Sequence, residues 1–227
     1  VMVQALHNDQ ELAVRLSWLD PTVDQQAVKH SEFRDAVAIQ FSLSSDPPFY
    51  MGDKTEHGGV NIWMWKADRQ KNIVAGYQDV DAAFVNRAVD MYPEQDFRFV
   101  DMSVVEPPRL GIIRHDPEFI TAWGAGNLVA DPKLQTPVEC LFARGPGSLS
   151  GKPANVQLVQ GQAVYERGVW YVQMQRTLDL PHSHDGQDER VFKPGDYLPV
   201  SFAIWNGSAG DRDGKKNISI WQKLVIE

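Results

Sequence analysis

Glu11-Leu12-Ala13-Val14-Arg15-Leu16-Ser17-Trp18 is the stretch that decides the fold class. Leu12, Val14, Leu16 and Trp18 take every second position, and Glu11, Ala13, Arg15 and Ser17 fill the places between. Successive side chains of a strand point to opposite faces, so this spacing makes one apolar and one mostly polar face. The pattern returns in Trp170, Val172, Met174 and Leu178, set against Tyr171, Gln173, Gln175 and Thr177. Leu198, Val200, Phe202 and Ile204 repeat it, as do Ile218, Ile220, Leu224 and Ile226, with Gln222 interrupting. Turn formers separate the runs at residues 7–10, Glu166-Arg167-Gly168, Lys193-Pro194-Gly195 and 210–214. Many half-buried strands joined by polar turns predict an all-β protein, an antiparallel sandwich or barrel, with the sandwich as the working expectation.

The middle of the chain breaks this pattern. Residues from about Asp79 to Asp116 mix Ala-rich and aromatic segments with Pro93, Pro107 and Pro108. Asp81 to Val89 reads as a short helix capped by Asp79 or Asp81. The segment from Tyr77 to about Ile120 is read as a long insertion with short helical segments inside one domain spanning residues 1–227. Ordered loops of this length usually cover a site or meet a partner. No internal repeat is evident.

Composition narrows the function classes. The chain has 227 residues, 43% hydrophobic and 23% charged, which suits a globular protein with a real core. Lys plus Arg total 22 against 30 acidic residues, a net charge of −8. Without a basic run there is no cationic track for a phosphate backbone, so nucleic acid is not an expected partner. The longest nearly apolar stretch, Phe119 to Ala130, is too short to span a bilayer. No signal peptide is visible, yet the chain opens directly in a strand-like run, which fits processing or truncation.

Cys140 is the one cysteine. Alone, it excludes an internal disulfide, a multi-Cys zinc site, an iron–sulfur cluster and a C-x-x-C-H haem attachment within this chain. It reads as a small buried apolar residue. G-x-S-x-G, Walker, G-x-G-x-x-G and H-E-x-x-H motifs are all missing, which argues against a free-standing hydrolase or nucleotide enzyme. Gly145-Pro146-Gly147 is a turn, and Pro146 removes an amide that a phosphate nest would use. His182 and His184 lie two apart in a polar hairpin tip. They would share a strand face as metal ligands, but a solvated tip is the simpler reading.

Two segments carry more information. The first is Pro47-Pro48-Phe49-Tyr50-Met51-Gly52-Asp53-Lys54, followed by Val60-Asn61-Ile62-Trp63-Met64-Trp65-Lys66-Ala67. Val60, Ile62 and Met64 share one strand face there, and Trp63 and Trp65 the other. Met51 instead sits in a loop before a glycine, which lets the backbone approach something bulky; a Met closing the end of the core is the alternative. The second segment runs from Asp211 to Trp221. Lys216 is in phase with Ile218 and Ile220 and is expected to point inward, whereas Lys215 shares the other face with Asn217 and Ser219. An inward lysine is costly unless its head reaches solvent or is neutral and occupied; snorkelling at a strand end is the alternative.

These segments resemble the haem b-binding gamma subunits of the type II dimethyl sulfoxide reductase family, which serve ethylbenzene dehydrogenase, dimethyl sulfide dehydrogenase, selenate reductase and chlorate reductase, with relatives among nitrite oxidoreductases. Further matching stretches are Ala5-Leu6-His7-Asn8 leading into Leu12 to Trp18, Val200 to Gly207, and Asp213-Gly214-Lys215-Lys216-Asn217-Ile218-Ser219. The resemblance covers nearly the whole chain apart from the insertion. Family members normally carry more sequence ahead of the first matching strand, so an N-terminal part is expected to be missing.

The resemblance implies a non-covalent haem b whose iron is held axially by one Met and one Lys, which map to Met51 and Lys216. Met64 and Lys215 are the second-choice assignments. Trp63, Trp65 and Trp205 are expected to wall the macrocycle, and Lys66 or Arg212 to meet its carboxylates. A neutral thioether favours ferrous iron, and a lysine must lose a proton normally held to pH 10.4 or so. The implied role is electron transfer without substrate chemistry. The implied partners are the iron–sulfur beta subunit and molybdopterin alpha subunit of a periplasmic molybdenum oxidoreductase, and a soluble c-type cytochrome. Two competing readings are a carbohydrate-binding β-sandwich module with Trp63, Trp65 and Trp123 as its stacking platform, and a purely structural interaction domain.

Overall fold

The structure, a computed structural model, describes residues 1–47, 59–76, 83, 84, 86, 136–145, 147–152, 157–179 and 190–227. The chain divides into two compact units. One comprises Val1–Tyr77 with Leu134–Glu227, and the other Gln78–Lys133. Of the second unit only Ala83, Phe84 and Asn86 are among the described residues, so the insertion and the helix expected at Asp81–Val89 lie almost wholly outside them.

The first unit is the expected antiparallel β-sandwich. Its strands are β1 (Met2–His7), β2 (Glu11–Leu19), β3 (Ala36–Ser42), β4 (Val60–Lys66), β5 (Val138–Ala143), β6 (Ser150–Gly151), β7 (Gln160–Glu166), β8 (Val169–Thr177), β9 (Tyr197–Trp205), β10 (Asn217–Ile218) and β11 (Gln222–Val225). One helix, α1 (Ala67–Ala75), follows β4 directly. Strands β1-β2-β8-β7 form one sheet. The other runs β10-β9-β3-β4-β5-β6, with β11 also paired to β9.

The core is what the alternation foretold. Leu12, Val14, Leu16 and Trp18 from β2 and Trp170, Val172 and Met174 from β8 are buried in one cluster with Val37, Ile39, Phe41, Trp63, Trp65, Leu198 and Val200 of the larger sheet. Aromatic rings carry much of it. Trp65 meets Trp170 edge-to-face with ring centres 5.0 Å apart, and Trp63 meets Phe41 at 4.8 Å and Phe192 at 5.8 Å. Such contacts add to the area that large rings bury. Cys140 is fully buried in the same cluster, as expected.

The expectation fails at the C-terminal run. Asn217 pairs with Ile204 and Gln222 with Val200, so five steps along one strand match four along the other. That extra residue is a bulge, and a one-residue slip moves side chains to the opposite face. Ser219 absorbs it: its N–H donates to the Phe202 carbonyl at 2.9 Å, and its hydroxyl accepts from the Phe202 N–H at 2.9 Å. Leu224 and Ile226 therefore join the core, while Ile218 and Ile220 stand 56% and 68% exposed. Lys216 keeps phase with Ile218 but points away from the core, not inward.

Candidate functional site

The central strands of the larger sheet, β3, β4 and β5, are buried on both sides. Every residue of β3 is buried. Val37, Ile39 and Phe41 face the core, whereas Ala36, Ala38, Gln40 and Ser42 face outward. A second apolar cluster lies on that outward side: Ala36, Ala38, Val60, Ile62, Leu141, Ala143, Ala203 and Trp205, with Met64 and Trp221 packed against it. Strand pairing orders it into rows. Trp205, Ala36 and Lys66 lie side by side, then Ala203, Ala38, Met64 and Glu139, then Ser201, Gln40, Ile62 and Leu141. Ala36, Ala38 and Ala203 thus make a shallow floor between Trp205 on one flank and Met64 on the other.

Lys216 stands at one end of this floor. Ile218 lies opposite Ala203, and two residues back Lys216 comes beside Trp205 on the outward side. Its ammonium sits 5.4 Å from the centre of the Trp205 ring and donates to the Asp213 carbonyl at 3.3 Å. Burial disfavours its charge and holds its pKa below the ordinary value, with Asp213 opposing. Lys215, the second choice, is otherwise engaged. It bonds the Ala209 carbonyl and lies 3.4 Å from the Asp211 carboxylate.

The turn that delivers Lys216 is firmly anchored. Asp35, buried at the start of β3, accepts from the Asp24 N–H at 2.8 Å, the Trp170 indole at 3.0 Å and the Gly207 N–H at 2.9 Å. Asn206 caps the short 3-10 turn Gly207–Ala209, and Asp211 accepts from the Asn206 N–H at 3.1 Å. The Trp205 indole donates to the Asp213 carbonyl at 3.1 Å. Arg212 donates to the Glu32 carbonyl at 2.8 Å and lies over the Phe33 ring, so it is committed to that loop and not to a ligand.

At the other end of β3 the loop carrying Met51 departs. Its base is closed by the Leu43 N–H donating to the Gly59 carbonyl at 3.1 Å. Gly59 has φ +89°, and a Cβ there would press on the Ala143 carbonyl at 2.8 Å, so glycine is needed. Met51 itself lies outside the described residues, as do His182, His184 and Trp123.

The fold separates the other candidates. Trp205 shares the outward face with Lys216, but Trp63 and Trp65 are 0% exposed in the core on the opposite face. They cannot wall a group that Lys216 holds, nor offer an open platform to a sugar ring. Their phase relative to each other is legible in the sequence; which side of the sheet meets its partner sheet is not. Met64, on the outward face, packs against the second cluster, consistent with its reading as sheet packing.

Two features escaped sequence reasoning. Lys66 and Arg69 both bond the Glu139 carboxylate in a buried cluster, with Arg34 and Asp68 paired nearby at 2.7 Å. Burial pulls Lys66 down to about 8, against the attraction of Glu139. Burial alone would raise Glu139, but Lys66 and Arg69 outweigh it and hold the carboxyl below its ordinary value. Lys66 is therefore a structural partner of Glu139. The second feature is Gln40, 2% exposed, with neither side-chain polar atom hydrogen-bonded. Among the described residues no cluster of His, Cys, Asp and Glu fits a metal ion, and no helix is long and apolar enough to cross a membrane.

Comparisons with known proteins bear on this arrangement. A protein of Haloferax mediterranei named "Putative respiratory nitrate reductase heme subunit ORF7" is 24% identical over 221 residues, covering 96% of this chain and 53% of its own length. The "Dimethylsulfide dehydrogenase subunit gamma" of Rhodovulum sulfidophilum is 26% identical over 226 residues, covering 97% of this chain and 57% of its own. The chain thus spans a little over half the length of these relatives. The family described as "Ethylbenzene dehydrogenase" matches residues 1–217. With nearly the whole chain matched, this protein belongs to the ethylbenzene dehydrogenase family.

Proposed function

We propose that the chain is a non-catalytic electron-transfer subunit that binds a non-covalent haem b on the outward face of its larger sheet. The observation that carries this reading is the placement of Lys216. It stands beside Trp205 at the end of an alanine-floored apolar face, while Lys215 is taken up by Asp211 and the Ala209 carbonyl. The relatives' names support it, one being called a heme subunit and the other a gamma subunit of a dehydrogenase.

The residues present fit such a group. A macrocycle needs an apolar bed, and Ala36, Ala38 and Ala203 supply one of small side chains. It gains from an aromatic wall, which Trp205 offers. It needs a neutral nitrogen donor, and Lys216 is held where its charge is disfavoured. Bound there, haem would supply a one-electron couple. Lys216 would give its lone pair after releasing its proton to solvent. Met51, from the segment between β3 and β4, would supply a thioether. Lys216 and Met51 would hold the group, and the apolar face would orient it and keep water away.

In the cell the chain would pass electrons between the iron–sulfur subunit of a molybdenum oxidoreductase, with its molybdopterin subunit behind, and a soluble c-type cytochrome. These partners and the periplasmic setting rest on the family resemblance. Titrating the purified colourless chain with hemin tests the reading. One equivalent should bind, with a low-spin b-type reduced-minus-oxidised spectrum. A chain that takes up no haem would refute it.

A further inference from the structure

Building on the haem reading above, we propose that Gln40 is the polar anchor of the bound group, its carboxamide donating a hydrogen bond to one carboxylate of the macrocycle. Gln40 points outward from the middle of β3, in line with Ala36 and Ala38. It is 2% exposed, and both its amide nitrogen and its amide oxygen lack a partner. Native proteins rarely leave a buried amide so, because desolvation is then uncompensated. Its neighbour on β4 is Ile62, which offers no polar side-chain atom, and Ser201 on β9 makes no hydrogen bond to it. A sheet face that needed only to be closed would be better served by leucine. The amide therefore marks a place where something polar arrives.

Its location says what arrives. Gln40 lies four residues along β3 from Ala36, the residue opposite Trp205, about 14 Å away at strand spacing. Lys216 stands at the Trp205 end, and the Met51 loop leaves β3 just beyond Ser42. Gln40 is thus on the same outward face as Lys216, beside the alanine floor. Apart from its iron, a haem b presents only two carboxylates as strong hydrogen-bond acceptors, and a carboxamide N–H suits one of them. The cationic alternative nearby, Lys66 with Arg69, is already bonded to the Glu139 carboxylate.

The test uses the full chain with Gln40→Leu and the closer shape match Gln40→Met. Haem loss to an excess of apomyoglobin is timed for native haem and for its dimethyl ester, whose carboxylates are blocked. Thermal midpoints are recorded without haem. Both variants should fold with a midpoint equal to or above that of the parent, keep the low-spin spectrum, and release native haem roughly fivefold faster. With the ester, whose carbonyls carry no charge and accept more weakly, the gap should shrink to roughly twofold or less. Equal release rates for native haem would overturn the proposal, and a hydrated or strained Gln40 would be the remaining account. A gap that persists at full size with the ester would overturn it too, as would failure of both variants to fold. A parent chain that takes up no haem would refute the haem reading, and this inference with it. Uptake by the parent with normal variants would refute the Gln40 assignment alone.

Discussion

Replacing Glu139 by Gln probes the buried charge cluster beneath the outward face. Glu139 on β5 accepts from Lys66 at the end of β4 and from Arg69 on α1, and all three are nearly inaccessible. The substitution keeps the shape and removes the charge. Lys66 titrates at about 8 in the intact cluster. At pH 7 it can escape by giving up its proton, for about 1 kcal/mol. Arg69 cannot deprotonate and loses a charge-assisted bond worth roughly 1.5–3 kcal/mol. The expected loss is about 3–4 kcal/mol at pH 7, in line with breaking buried pairs elsewhere. Near pH 9 Lys66 is mostly neutral in both proteins, so the loss should shrink to about 2 kcal/mol, the share of Arg69. Urea unfolding followed by far-ultraviolet circular dichroism reads both values. A loss under about 1 kcal/mol at pH 7, or one that does not shrink toward pH 9, would refute the reasoning.

Three other outcomes follow from the same contacts. Glu139 has a folded pKa below its model-peptide value of 4.5, so it adds stability above that pH and loses it as acid protonates the folded carboxyl; acid unfolding of Glu139→Gln should therefore show a shallower pH slope than the parent between pH 5 and the acid limit. Asp35→Asn leaves one oxygen where three donors converge and should cost about 1–3 kcal/mol, seen as a lower thermal midpoint and altered Trp170 fluorescence. Trp63→Ala should cost about 3–5 kcal/mol of stability yet leave the haem spectrum of folded protein unchanged, because Trp63 faces the core, whereas Trp205→Ala should alter the spectrum at a smaller stability cost.

Much of the sandwich is legible in the sequence because burial and period-two spacing express the same geometry. Leu12 to Trp18 and Trp170 to Met174 show this directly: alternation places each on one face, and those faces form the core. What escapes the pattern has a local or a long-range cause. The bulge at Ser219 slips one residue and sends Lys216 and Ile218 to the far side of the sheet from Leu224, and nothing in the alternation marks that slip. Trp63 and Trp65 do share a face, but periodicity is blind to which face meets the second sheet. Glu139 finds Lys66 across more than seventy residues of chain, through strand pairing alone. Gln40 sits in a strand buried on both sides, where apolar and polar positions no longer alternate in exposure.

The most direct measurement compares Lys216→Ala with Lys215→Ala, each loaded with haem, by low-temperature electron paramagnetic resonance of the ferric iron. Lys216→Ala should lose the parent's low-spin signal and gain a high-spin one, whereas Lys215→Ala should match the parent. A parent-like signal in Lys216→Ala, with the loss falling on Lys215→Ala instead, would contradict the placement on which the proposed role depends.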